Sequence, residues 1–422
     1  MNRKCSSLWA CLIVGQVLCA QTVYRTEIYA DRIRSLEVTA AGELLSDPFI
    51  DLDGDRPLEI KFDVLNHTQG RYAYSIIHCD ADWKKSALAP IEYMDGFQGM
   101  TIDDFAQAFN TTVHYTHFRL SLPNDNVRFK VSGNYALLVY EEDAPDRTVF
   151  SARFSVCEAL VGIQADLTGN TDIAFNRTYQ QINFRIDTRN LPVVYPQTDL
   201  KIRVNQNRRT DCEAVDLQPS SISSRLLTYE HIPALIFEAG NEYRRIEFLT
   251  HRYNGLNIER IQYFNPCYHA DVVIDRSRAG QTYRYDQDQN GRFFVRCSGC
   301  QEPDVEADYY FVHFTYESKP FPDGDVYLLG DFFQNRTDGD SRMEYNAETG
   351  CYEKAVLLKQ GYYNYQYVFL PHGAAGGELL RTEGSHYQTE NEYAVTVYYR
   401  PMGARYDRIV GRVTVRNAPD VL

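Results

Sequence analysis

Apolar and polar residues alternate with a period of two along most of this chain. Leu58-Glu59-Ile60-Lys61-Phe62-Asp63-Val64 is the cleanest case, and Tyr72 to His78, Tyr115 to Leu122, Gly133 to Tyr140 and Val149 to Val156 behave alike. Successive side chains of a strand point to opposite faces, so each stretch predicts a half-buried strand. Pro123-Asn124-Asp125 and Glu142-Asp143-Ala144-Pro145-Asp146 supply turns between them. Tyr179 to Ile186, Leu200 to Val204, Ala270 to Asp275 and Phe293 to Arg296 continue the pattern. Apolar stripes at helical spacing do not stand out, which predicts less than about a fifth helix. Strands at this density, each with one face to bury, predict sandwiches of two sheets.

The expected architecture is all-β, with tandem β-sandwich domains of immunoglobulin-like or early-set type. The expected divisions are a first sandwich over residues 21–157, a middle one over 158–300 and a third over 301–400. Pro303-Asp304 reads as the linker before the third, and residues 401–422 as a C-terminal tail or a final strand. Gly133-Asn134-Tyr135 and Gly361-Tyr362-Tyr363 suggest a corner in which glycine frees the turn and a tyrosine hydroxyl bonds back to the chain.

Composition supports this class and adds a compartment. The 32 Tyr and 22 Phe suit strands better than helices. Arg3 and Lys4, the apolar run Leu8 to Leu18 and the small residue Ala20 form a signal peptide over residues 1–20, so the mature chain is expected to start at Gln21 and to be exported. No other segment is apolar for the ~18 residues that a spanning helix requires. The formal net charge of −14 argues against nucleic acid, which attracts a basic face, and against binding flat on an anionic membrane.

Of the 10 Cys, Cys5, Cys11 and Cys19 lie in the signal segment, which leaves seven in the exported chain. Cys297 and Cys300 are the expected disulfide, because they are close in an oxidising compartment and Gly299 permits a tight turn. With Cys267 and His269 the same pair could instead complete a zinc site, although Cys267-Tyr268-His269 is tighter than the usual ligand spacing. Asp286-Gln287-Asp288-Gln289-Asn290-Gly291 copies half of a calcium loop, but Cys297 stands where the closing carboxylate belongs, and an Asn-Gly hairpin turn is the better reading. Asn66-His67-Thr68 is one of four glycosylation triplets, informative only in a host that glycosylates such sites. His78, Cys79, Asp80 and Asp82 could be drawn as a nucleophile cluster, yet strand alternation puts His78 and Cys79 on opposite faces, ahead of a turn and a packed Trp83. Metalloprotease, nucleophile-elbow and phosphate-loop motifs are absent, so neither an enzymatic activity nor a cofactor is expected.

Five stretches taken together carry a resemblance: Ile76 to Lys84, Glu92 to Phe97, Thr111 to Phe118, Ser132 to Tyr135, and Arg405 to Gly411. They resemble the plug proteins of the type IX secretion system of Bacteroidetes. That resemblance implies a non-enzymatic periplasmic subunit that occludes the periplasmic opening of an outer-membrane translocon barrel. The barrel would be its protein partner and its only link to the membrane, with no nucleic acid and no small-molecule substrate. His78, Cys79, Asp80, Asp82, Trp83, Gly133 and Tyr135 would then be motif residues with structural roles. In the third block, Val326 to Phe332 and Gly361 to Val368 resemble early-set modules that bind glycogen. Those modules stack sugar on a tryptophan after Gly-Asp-Phe, where Gln334-Asn335-Arg336 stands here. A periplasmic carbohydrate-binding or adaptor protein is the alternative reading.

Overall fold

The alternating stretches fold into strands that turn their apolar set inward. Leu58–Val64 buries Leu58, Ile60 and Phe62 completely, pairing with Ile33–Ala40 on one side and Thr116–Leu122 on the other. The computed structural model describes residues 22–65 and 70–417; the signal peptide and the Asn66-His67-Thr68 triplet lie outside the described residues. Strands take 47% of the chain and helix 5%, and the three α-helices among the described residues have four residues each. The protein is a set of tandem β-sandwiches.

The first sandwich stacks the sheet Ile33–Ala40, Leu58–Val64, Thr116–Leu122, Asp104–Gln107 on a second sheet. That second sheet runs Glu27–Ile28, Thr148–Cys157, Gly133–Glu141, Tyr72–Cys79, Met100–Thr101. Phe62, Tyr72, Phe118 and Phe150 interlock between them. The corner expected at Gly133 is present: the Tyr135 hydroxyl donates to the Val131 carbonyl at 2.7 Å. The corner at Gly361 matches it, with Tyr363 donating to Lys359 O at 2.5 Å.

Beyond residue 158 the cores partition the chain differently from the expected blocks. The middle core joins Ile182 to Phe237 with Tyr393, Val395, Val397, Tyr399 and Val410. Its second sheet is Leu200–Gln206, Glu392–Tyr399, Arg408–Arg416, so a strand expected in the third block and the expected tail close the middle sandwich. The remaining core runs from Ile246 to Tyr367 and takes Arg244–Phe248, Ile258–Phe264, Cys267–Val272 and Phe293–Val295 from the expected middle block. The third sandwich is thus inserted into the middle one. Alternation specifies which face of a strand is buried, but it carries no information on which sheet the strand joins. Pro303–Glu306 is a single helical turn packed on the first sandwich rather than a linker.

Candidate functional site

The family-like stretches converge on the seams between sandwiches. His78 sits on the strand Tyr72–Cys79, 1% exposed. Ser86 Oγ donates to its Nδ1 at 2.9 Å, and its Nε2 donates to the Ser132 carbonyl at 3.2 Å. Tyr135 and Tyr406 meet the ring edge-on, at 4.9 and 5.3 Å between centroids. Tyr406 belongs to the C-terminal stretch, which reaches across from the middle sandwich. Its neighbour Asp407, fully buried, accepts the Ala81 N–H at 2.9 Å and the Lys201 ammonium at 2.8 Å. Asp80 accepts the Asp407 N–H at 3.1 Å and bonds Arg400 at 3.3 Å. Asn134 accepts from Ser155 at 2.8 Å and from Tyr398 of the middle sandwich at 3.2 Å. Arg405 reaches Glu92 at 2.6 Å, and Ala81, Cys157, Tyr398 and Ile409 form a small apolar core astride the seam.

Gly133 explains its own presence here. Its φ is +146°, and a Cβ would lie 2.3 Å from His78 Nε2 and 3.2 Å from the Asp407 carbonyl. Cys79 points away from His78, and burial pushes its thiol up to about 12, the opposite of an activated nucleophile. Asp82 is exposed and paired with Lys84 at 2.6 Å. Trp83 departs from the expected packed residue. It is half-buried at φ +61°, with the Arg153 guanidinium 4.3 Å above its ring.

Because His78 is sealed, burial pushes its imidazole down to about 4 from 6.5, with the Ser132 carbonyl opposing weakly. Above pH 6.5 both folded and unfolded chains hold it neutral, so it contributes no pH dependence. As pH falls towards 4, the unfolded chain takes up a proton that the fold refuses, and stability drops by up to about 3 kcal/mol. Urea midpoints measured from about pH 7 to about pH 4 should therefore fall more steeply in the wild type than in His78→Gln. Parallel slopes would show that His78 does not titrate across this window.

The seam between the first and inserted sandwiches is ionic, with a buried centre at Asp63 and Lys359. Lys359, 1% exposed, donates to Asp63 at 2.6 Å and to the Asp304 carbonyl at 2.6 Å. Asp63 also takes the Tyr309 hydroxyl at 2.6 Å and His117 Nδ1 at 2.7 Å. Asp304 bonds Lys61 and Arg119, each at 3.1 Å. Asp308 accepts the Thr112 N–H, the Thr112 hydroxyl and the Val113 N–H at 2.7–3.1 Å. The stretch Thr111 to Phe118 therefore lines this second seam. All three sandwiches meet at Asp47, which faces Arg412 and Arg208 of the middle sandwich and Arg292 of the inserted one. Burial alone would raise this carboxyl, but the three guanidinium groups hold it well below the usual range.

Other sequence candidates fall outside these seams. Cys297 and Cys300 are joined by a disulfide, and His269 pairs with His313 at 2.8 Å; among the described residues no three His, Cys, Asp or Glu side chains come together as metal ligands. Asn290 and Gly291 both have positive φ and form a turn, but no hairpin, because Phe293–Val295 pairs with Gly361–Pro371 and not with Tyr283 to Tyr285. Where a glycogen-binding module places its tryptophan, Arg336 is tied to Glu27 of the first sandwich, and Asp331 just before it is tied to Arg208. Asp47, Asp63, Asp304 and Lys359 were not singled out from sequence. The available signal was the polar face of Leu58–Val64 and Thr116–Leu122, where Lys61, Asp63, His117 and Arg119 are ionisable although a sheet face needs only polar residues.

Sandwiches clamped through buried polar seams define a multi-domain β scaffold. Residues 33–158 match the model of the type 9 secretion system plug protein 1st domain. A hypothetical protein from Parabacteroides merdae, solved by crystallography, is 55% identical, with a TM-score of 0.93, covering 94% of this chain and 100% of its own. No curated protein matches. The chain belongs to the type 9 secretion system plug family, and its role is connected with type IX secretion at the cell envelope.

Proposed function

We propose that this protein is a non-enzymatic plug, held in the periplasm under the outer-membrane translocon barrel and occluding its periplasmic opening. The observation that carries this reading is the placement of the motif stretches. Residues 76–84, 132–135 and 405–411 join the first sandwich to the middle one, and 111–118 join it to the inserted one. The family-like residues are thus engaged in holding three sandwiches in one orientation, and a fixed shape is what steric occlusion requires. The barrel contact is expected to exceed about 1,600 Å², spreading its energy so that no single polar substitution abolishes it.

The test is co-isolation of the tagged protein from envelope extracts, combined with envelope permeability in a deletion strain. An outer-membrane barrel should co-purify, and the deletion should admit large solutes. Unchanged permeability together with tight glucan binding would favour the carbohydrate-binding alternative.

A further inference from the structure

A cleft of about 820 Å³ opens where the three sandwiches meet, lined by Val38, Trp83, Arg153, Arg203, Arg336 and their neighbours. This size falls within the range of ligand pockets, which favour domain junctions. Most of its cations are neutralised by the protein itself. Arg203 pairs with Glu213, Arg208 with Asp331, Arg292 and Arg412 with Asp47, and Arg336 with Glu27. Arg153 and Arg25 have no carboxylate partner among the described residues. The Arg153 Nε donates to the Tyr24 carbonyl at 2.6 Å, which leaves its two terminal nitrogens without a hydrogen-bond partner among the described residues. Burial disfavours its charge; Glu213, already paired with Arg203, favours it from beyond bonding distance, and Arg203 and Arg25 oppose. In a chain of net charge −14 a guanidinium in a cleft with no carboxylate at bonding distance is unusual, and a carboxylate would satisfy its terminal nitrogens through paired N–H donors.

A second observation concerns the backbone. Ile33–Ala40 is the edge strand of its sheet, and its residues 36–40 line the cleft. Ala41 N–H donates to the Pro57 carbonyl at 2.8 Å, and the register continues Thr39↔Glu59, Val38↔Ile60, Glu37↔Lys61. Antiparallel pairs alternate between bonded and non-bonded, so Thr39 and Glu37 bond inward while Val38 and Ala40 direct N–H and C=O to the open side. Ala40 is capped by Ser46 and Glu43. Val38 is not capped by any described residue. An open strand edge beside an unpaired cation fits an extended polypeptide that adds to the sheet while a carboxylate docks nearby.

The geometry points to this cleft as a binding site for an extended peptide segment of a partner protein, its backbone on the edge at Val38 and a carboxylate on Arg153. The site does not depend on the plug reading, and failure here leaves occlusion untouched.

Trp83 makes the test direct. The chain's other tryptophan is Trp9, so protein starting at Gln21 reports from the cleft alone. The probe is the hexapeptide Thr-Val-Thr-Val-Thr-Val as its free acid, titrated against Trp83 fluorescence. A saturable change is expected, weakened about tenfold by C-terminal amidation or by Arg153→Gln, and weakened likewise by N-methylation of the peptide backbone. Arg25→Gln, at an exposed position, serves should Arg153→Gln fail to fold. No saturable response to the free acid, equal binding of acid and amide, or saturation by oligogalacturonate but not by peptide would each overturn the proposal.

Discussion

Replacing Lys359 by methionine should destabilise the protein by about 3 kcal/mol, because removing one partner of a buried ion pair strands the other charge. Asp63 is fully buried, and among the described residues Lys359 is the one lysine or arginine that pairs with it, 2.6 Å away. Tyr309 and His117 would remain as donors, but a neutral hydroxyl cannot replace the lost charge. The Asp304 carbonyl and the Tyr115 ring, 4.2 Å from Nζ, would lose contacts as well. Adding Asp63→Asn should recover part of the loss, since the stranded charge is then gone while its oxygen still accepts from Tyr309. Urea denaturation of the single and double variants measures both effects. A single-variant loss below about 1 kcal/mol, the level of an exposed pair, would mean that this seam is wet in solution.

The distinction matters for occlusion. If the seam opened readily, the first and inserted sandwiches would rotate relative to each other and the blocking surface would not keep its shape. Glu37 lies partly buried beside this seam. Burial pushes its carboxyl up to about 7, with Lys61 and Lys359 opposing. A buried ion pair of this kind gives orientation more than stability, because desolvation cancels much of the attraction between buried charges.

Strand positions were largely legible from period two alone. Leu58 to Val64 shows every apolar residue buried, and the disulfide cysteines sit where close spacing places them. Domain limits in the second half were not legible. Glu392–Tyr399 pairs with Leu200–Gln206, nearly two hundred positions earlier, and such non-local pairing leaves no trace in a local pattern. Phe293–Val295 and Arg244–Phe248 flank the same strand for the same reason. The seams were half legible. Stretches such as Ser132 to Tyr135 and Arg405 to Gly411 stood out by resemblance, but nothing local indicated that Tyr406 would cover His78 or that Asp407 would bond Ala81. Lys359 carries no local mark in the sequence. Its burial follows only once Pro303–Glu306 is seen as a wedge instead of a linker.

Gly133→Ala is expected to be a costly conservative change, at about 4 kcal/mol from backbone strain and overpacking combined. A φ of +146° lies where side chains rarely go, and the new methyl carbon would sit 2.3 Å from His78 Nε2. His78 cannot retreat, since Ser86 and Ser132 hold its two nitrogens and Tyr135 and Tyr406 close the ring on two sides. Moving the backbone instead would press on the Asp407 carbonyl, 3.2 Å away, and so push the middle sandwich off the first. Two readouts follow. Chemical denaturation should show the loss of stability, and limited proteolysis should show faster cleavage near Glu158 to Val161, where N–H groups of the chain bond the Ile409 and Val410 carbonyls across the seam. Gly299→Ala, which also has positive φ but open space around the new carbon, isolates the backbone component and should cost about 1 kcal/mol. Should the two variants unfold at the same denaturant concentration, His78 would have room that the folded geometry denies it, and the seam would be looser than its hydrogen bonds describe.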